Sequence, residues 1–259
     1  MVDLAIIIVS FNARADLERC LASLQAAPPS TPHEIVVVDN GSSDGSPDVA
    51  RRFPSVRLIE NGANVGFARA SNAGMRASAS PTVLLLNSDT IVPAGAIDRL
   101  SAELNADPDV AVVGPRLMDA NGHAELSFGR MIGPLNELRQ KRIARGPFDE
   151  LTRRRQYPDW VSAACLLVRR SDAEAVGLLD ERFFMYTEDV DFCAAIRARG
   201  RRILFTPDVE VVHRRGRSAA SALAATQAAY RRSQVAFYEK HHPLWAPLLR
   251  LYLRLRGQA

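Results

Sequence analysis

The chain has 259 residues, 47% of them apolar and 24% charged. That balance excludes a disordered chain and suits one large α/β domain, or one domain with a short appendage. The net charge of +4 and a pI near 9.2 reflect an Arg excess late in the chain, which suits an anionic ligand, a membrane surface or nucleic acid. Aromatic residues are only 7% and no RNP-like or helix-turn-helix pattern is evident, so nucleic acid is not an expected partner.

The N-terminal stretch MVDLAIIIVSFN carries Asp3 and a short apolar run. It lacks the basic flank and length of a signal peptide, and no segment approaches the ~18 uninterrupted apolar residues of a membrane span. Cys20, Cys165 and Cys193 are far apart, form no Cys-x-x-Cys and sit among apolar neighbours. Buried, reduced thiols in a cytoplasmic protein are the expectation.

Short apolar, β-branched runs recur at 4–10, 34–40, 56–60, 82–89, 110–114, 164–170 and 209–213. The first, second and fourth are almost continuously apolar, as in strands covered on both faces of a parallel or mixed sheet. Helical patterns lie between them. Leu17, Cys20, Leu21 and Leu24 fall at i, i+3, i+4 and i+7, and 68–79 is rich in small, helix-compatible residues. The alternation predicts an α/β fold. Residues 119–160 break the rhythm with Gly, Pro and basic clusters at Lys141-Arg142 and Arg153-Arg154-Arg155. They read as a long, partly mobile excursion, either a binding loop or a solvated insertion.

In open α/β sheets, ligands bind beyond the carboxyl ends of the strands. Polar and Gly residues collect there: Ser10-Phe11-Asn12 after the first strand, Asp39 to Ser46 after the second, Asn61 to Phe67 after the third, Asn87-Ser88-Asp89 after the fourth and His213 after the last. Neither a Walker-type phosphate loop nor Gly-x-Gly-x-x-Gly after the first strand is present, which speaks against a P-loop NTPase or a dinucleotide-binding dehydrogenase. Asp39 would accept a hydrogen bond from N3–H of uracil or thymine, a donor that adenine and cytosine lack. Asp89 would coordinate a hard divalent cation bridging a diphosphate, with Asn87 supporting the ribose or the metal shell. His213 offers a nitrogen ligand, which Mn²⁺ accepts more readily than Mg²⁺. Plainer readings stand beside these: Asp39 and Asp44 as Asx-turn residues, and His213 as a structural histidine. In FFMYTEDVDFCAAIRARG (183–200), Thr187 reads as an N-cap with Glu188, Asp189 and Asp191 in the first helical turn. The same acids beside apolar residues also suit a general base acting on a sugar hydroxyl.

The tail from about Ser218 is Ala-rich and then basic. Leu244, Trp245, Leu248, Leu249, Tyr252 and Leu255 recur at helical spacing, with Arg250, Arg254 and Arg256 among them. Such a helix suits an anionic membrane surface; packing on the core is the competing explanation.

Taken in order, VSFN, VVVDNGSSDGS, NVGFARASNAG, LLLNSDT, LLDERFFMYTEDVDFCAAIRARG and VVHRRGRS resemble family 2 glycosyltransferases with a GT-A fold, most of all the bacterial rhamnosyltransferase branch. The match runs from residue 5 to about 218. The resemblance implies a Rossmann-like mixed sheet flanked by helices in a domain of 1–217, with 119–160 as a mobile acceptor-side insertion and 218–259 as a helical tail. It implies inverting transfer from a nucleoside-diphosphate sugar, most of all dTDP-L-rhamnose, to a lipid-linked or polysaccharide cell-envelope acceptor. The alternatives are a UDP-hexose or UDP-N-acetylhexosamine donor, or a non-catalytic module that binds sugar nucleotides. Carried over by position, Ser10 and Asn12 would line the nucleotide site and Asp39 would bind the base. Asn64, Gly66 and Phe67 would close around nucleotide and diphosphate, while Asn87-Ser88-Asp89 stands at the family's metal-binding Asp-x-Asp with Asn replacing the first Asp. Asp89 and His213 would be the ligands of Mn²⁺ or Mg²⁺. Asp189 would be the general base, with Glu188 as runner-up and Asp191 positioning the acceptor. The Arg clusters at 153–155 and 214–217 would suit a pyrophosphate-linked acceptor. The expected location is cytoplasmic, with peripheral attachment to the inner face of the plasma membrane.

Overall fold

The computed structural model describes residues 2–133, 136, 148–214 and 223–256, with side chains in the last segment from 227. Strand β1 (Leu4–Ser10) sends Leu4, Ile6 and Ile8 into one core and Ala5 and Ile7 into another. Side chains alternate along a strand, so a run apolar at every position requires cover on both faces. Helices supply it. On one side lie α1 (Arg14–Ala26) and α4 (Ala96–Ala106), through Leu17, Leu21, Leu24, Leu100 and Leu104. On the other lie α3 (Phe67–Arg76), through Ala68, Ala70 and Met75, and α7 (Glu188–Ala198), through Phe192 and Ile196. Helix α3 comes so near β1 that a Cβ on Gly74 would lie 2.4 Å from Ile7 Cγ2.

The remaining strands are β2 (His33–Asp39), β3 (Val56–Glu60), β4 (Thr82–Asn87), β5 (Thr90–Ile91), β6 (Val110–Met118), β7 (Phe128–Gly129), β8 (Trp160–Val161), β9 (Cys165–Arg169) and β10 (Arg202–His213). Short helices α2 (Ser46–Arg51), α5 (Asp149–Thr152) and α6 (Arg170–Ala175) complete the domain, and α8 (Leu223–His241) and α9 (Ala246–Leu255) form the tail. Among the described residues the main sheet has eight strands in the order β3-β2-β1-β4-β9-β6-β10-β5. Strands β3, β2, β1 and β4 run parallel; β9 is antiparallel to both its neighbours, and β10 returns parallel to β6. The mixed sheet expected from the sequence is therefore present, and β9 and the edge strand β5 are the strands that mix it.

Several boundaries differ from those expected. Strand β4 stops at Asn87, and Ser88-Asp89 form the turn into β5. Strand β6 runs on to Met118. Strand β10 begins at Arg202, not near 209, because Pro207-Asp208 is absorbed at a register shift between Thr206 and Glu210. Residues 119–160 include packed structure: β7 and β8 pair with each other, and Phe128 is buried against Phe205. Lys141-Arg142 and Arg215 to Arg217 lie outside the described residues. Arg153 pairs with Asp149, and Arg155 with Glu103.

The tail packs on the domain. Phe237, Tyr238 and Ala246 share a third core with Phe183 and Val190. No helix among the described residues is long and apolar enough to cross a membrane. All three cysteines are buried free thiols.

Candidate active site

The carboxyl ends of β1, β2 and β4 open on a cleft of about 650 Å³. Strands β1 and β2 place Ser10 beside Asp39; neither lines the cleft, but their chain neighbours Val9, Phe11 and Asn40 do. Asp39 Oδ2 accepts the backbone N–H groups of Gly41, at 3.1 Å, and Ser42, at 2.9 Å. That is the Asx turn. Its other oxygen, Oδ1, is buried with no protein partner, as is Ser10 Oγ. The turn thus uses one carboxylate oxygen and leaves the other aimed at something else. An unpaired buried acceptor costs about 1–3 kcal/mol, a penalty that a ligand donor removes.

Asn12 has φ +49° and is exposed. Its Oδ1 accepts Ser43 N–H at 2.9 Å and its own N–H donates to Ser42 Oγ, so it fastens the 41–46 loop. Asn40 holds the opposite loop. Its Nδ2 donates to Asn64 Oδ1 at 2.8 Å, and its Oδ1 accepts from Asn61 Nδ2 and from Val65 N–H. Asn64 also accepts Gly66 N–H. Gly66 sits at φ +88°, where an added Cβ would lie 2.6 Å from the Phe184 carbonyl oxygen. That carbonyl accepts Phe67 N–H at 2.7 Å. Asn64 and Phe67 line the cleft.

Asn87, Ser88, Asp89 and His213 meet on the cleft floor. The antiparallel pair β10–β5 sets Thr90 opposite His213. His213 Nε2 lies 3.3 Å from Asp89 Oδ1 and 3.5 Å from Asn87 Nδ2; Nδ1 lies 3.0 Å from Glu125 Oε2. Burial alone would lower the His213 pKa, but the Asp89 and Glu125 carboxylates outweigh it and push the ring up to about 9. Among the described residues no group of three or more His, Cys, Asp or Glu side chains is arranged to hold a metal ion. Asp89 and His213 supply one oxygen and one nitrogen, a set that fits a divalent cation only if substrate oxygens complete its shell.

Across the cleft, α7 begins with Glu188. Thr187 does not cap it as expected: it has φ +65°, makes no side-chain cap and leaves Oγ1 buried without a partner. Tyr186, at φ +69°, is also left-handed. Two successive non-glycine residues in this region cost about 1–2 kcal/mol each, and they turn the chain so that Glu188 and Asp189 both line the cleft. Asp189 Oδ2 accepts Ala163 N–H at 3.2 Å and Oδ1 accepts Val190 N–H at 2.8 Å. Burial raises both acids, Glu188 well above the usual range and with the Asp189 charge adding to it. The backbone N–H groups on Asp189 oppose that rise.

Asp191 is not brought to the cleft. Its buried carboxylate accepts from Lys240 Nζ at 2.8 Å and lies 2.6 Å from His241 Nε2, both on α8. The side chain fastens the tail and is not among the residues lining the cavity. Many residues lining the cleft were not singled out from the sequence. Glu125, in the 119–160 segment, buttresses His213, while Trp160 and Tyr230 form apolar wall. Only the alternation Glu125-Leu126-Ser127-Phe128 hinted at ordered structure there.

Residues 5–177 match the family model described as Glycosyl transferase family 2. The chain is 33% identical to the N-acetylglucosaminyl-diphospho-decaprenol L-rhamnosyltransferase of Mycobacterium tuberculosis, over 98% of this chain and 91% of that protein. It is 27% identical to a low-salt glycan biosynthesis hexosyltransferase of Haloferax volcanii, over 82% of this chain and 67% of that one. Among solved structures it resembles a mannosyltransferase from Pyrobaculum calidifontis in complex with GDP-Man and Mn²⁺, at TM-score 0.65 and 21% identity, covering 95% of this chain and 68% of that one. The fold is GT-A, as the sequence resemblance implied. With the family model spanning most of the domain and a relative matched from end to end, the chain belongs to glycosyl transferase family 2, as a rhamnosyltransferase-like member.

Proposed function

We propose that the protein transfers L-rhamnose from dTDP-L-rhamnose to a lipid-linked cell-envelope acceptor, with inversion at the anomeric carbon. The observation that carries the reading is the meeting, in one cleft, of Asp89 and His213 on one side with Asp189 on the other. The donor sugar and the lipid-linked acceptor follow the mycobacterial relative. A lipid-linked acceptor puts the reaction at the inner face of the plasma membrane.

Asp39 Oδ1 accepts N3–H of thymine, and Ser10 Oγ offers a neighbouring hydroxyl. Asn40 and Asn64 hold the 61–66 loop in shape around the nucleotide. Asp89 and His213 would hold a divalent cation, with Asn87 supporting them. When bound, the cation neutralises the charge that develops on the departing diphosphate. Asp189 takes the proton of the acceptor hydroxyl. The acceptor oxygen bonds to the anomeric carbon as the bond to the β-phosphate oxygen breaks on the opposite face. Burial raises the Glu188 pKa and so disfavours a second negative charge beside the base. Near-attack geometry and a base of suitable pKa are what such a displacement requires.

The test offers purified protein dTDP-L-rhamnose, UDP-glucose, UDP-galactose and UDP-N-acetylglucosamine, each with Mn²⁺, Mg²⁺ or EDTA, with and without a membrane-lipid extract. The expected result is metal-dependent release of dTDP that the extract increases. Release of UDP alone would replace the donor, and no nucleotide binding by calorimetry would overturn the transferase reading.

A further inference from the structure

We infer that α9 is a docking face for an anionic lipid bilayer, and that it seats the acceptor side of the cleft against the membrane. This goes beyond the proposed reaction by assigning its surface to named residues.

Helix α9 has two apolar faces. Ala246 and Leu253 are buried, and Leu249 packs on the third core, so one face is occupied. Leu248, Leu251, Tyr252 and Leu255 recur at helical spacing on the other face, and Leu244 and Trp245 extend it. These are not grazing exposures: Leu244 is 88% and Leu255 81% accessible. Clustered apolar exposure of this kind marks an interaction surface.

Charge selects the partner. By helical phase, Arg250 and Arg254 run along one border of the exposed face and Arg256 lies on the other. No Asp or Glu follows Glu239 in the sequence. Glu239 itself is paired with Arg250. An apolar stripe between basic borders fits acyl chains flanked by anionic headgroups. A symmetric pairing of two such helices would bring Arg rows of like charge together, which disfavours a second copy as the occupant.

The helix is rigidly joined to the cleft. Its inner face shares a core with Ile132 and Trp160, and both residues line the cavity. His242, in the turn before α9, lies 2.8 Å from the Ile132 carbonyl oxygen. Helix α8 adds Tyr230 to the same wall. A bilayer against the outer face of α9 would therefore lie about one helix diameter, ~10 Å, from the apolar wall of the cleft.

The experiment is co-sedimentation of the full chain, without donor or acceptor, with vesicles of phosphatidylcholine alone or mixed with an equal part of phosphatidylglycerol. The wild type should bind the anionic vesicles and bind the neutral ones at least ~10-fold more weakly. Leu248→Glu with Leu251→Glu should weaken anionic binding at least ~10-fold, since each leucine gives up its burial. Arg254→Glu with Arg256→Glu should do the same. Both variants should keep the wild-type thermal midpoint. Wild-type protein that stays in the supernatant, or equal binding to neutral vesicles, overturns the inference. So does a wild-type dimer that the leucine substitutions dissociate, which would assign the face to a second copy. None of these readouts uses donor turnover, so failure here is separate from failure of the transferase reading.

Discussion

The Asp191 carboxylate lies 2.6 Å from His241 Nε2 and also accepts a hydrogen bond from Lys240, so the helix that carries Glu188 and Asp189 is fastened to the tail from behind. Lys240 continues to Asp180 at 2.9 Å, and Phe237 packs under the same junction. The acidic Thr-Glu-Asp-Val-Asp segment is thus divided between two tasks: its first two acids face the cleft and its third holds the wall in place.

Asp191→Asn should therefore act on stability before chemistry. Its side chain is 3% exposed and its two partners 30% and 26%. Removing the buried charge leaves partners that water can still reach. The expected loss is about 2 kcal/mol, below the range for a fully buried pair. Urea unfolding should show it, while donor affinity stays near wild type. A change in acceptor KM at unchanged stability would restore an acceptor-positioning role.

Asp189→Asn should lower turnover at least ~100-fold, a typical general-base contribution. Donor binding should change little. As the proposed base, Asp189 would work only as the carboxylate, and burial raises its pKa. Turnover should accordingly fall as pH drops through that elevated value and recover as pH rises above it. Glu188→Gln should be milder, because burial raises the Glu188 pKa and already favours its neutral form. Comparable losses in both variants would shift the base assignment to the pair.

Asp89→Ala should also lose at least ~100-fold in turnover, the scale for removing a preorganised electrostatic stabiliser. Among the described residues, Asp89 and His213 are the two assigned to the proposed cation. Mn²⁺ should therefore bind weakly to the protein alone and at least ~10-fold more tightly with nucleoside diphosphate present, which supplies the missing oxygens. Titration calorimetry with and without nucleotide checks this. Equal Mn²⁺ affinity in both cases would point to a site made by the protein alone.

Asp39→Asn should weaken thymidine and uridine diphosphates about 10- to 100-fold, the value of a hydrogen bond to a charged group. The amide oxygen can keep the Asx turn, but the amide N–H₂ would then face the N3–H of the base. Cytidine diphosphate lacks that donor and should be affected least.

Gly66→Ala should cost about 1–3 kcal/mol from left-handed strain alone. The Phe184 carbonyl leaves no room for the methyl group. The shift should pass through Asn64 to the Asn40 network and weaken nucleotide binding with it. Unfolding and calorimetry on one preparation test both effects.

The sheet was legible in the sequence because a strand covered on both faces must be apolar at every covered position, and LAIIIV, IVVV and VLLL are. The polar residues that end those strands were legible for the same reason: Asp89 is conspicuous where an apolar run stops. The extension of β10 through Pro207 was not, because a bulge accepts a residue that local propensity reads as a stop. Thr187 looked like a cap from its type, yet its backbone is left-handed.

What the sequence determined by itself was the α/β class, the buried strands, and the carboxylates and His213 as candidates at strand and helix ends. What only the tertiary structure decided was which of them share a space. Asp189 and Asp191 stand two residues apart, and helical phase turns them about 200° from each other. One faces the cleft and the other the tail. Glu125 and His213 are 88 residues apart in the chain and 3.0 Å apart in space. No local pattern encodes that distance, because it is set by how the loop after β6 folds back, through Glu125 N–H to the Leu117 carbonyl, beside the end of β10.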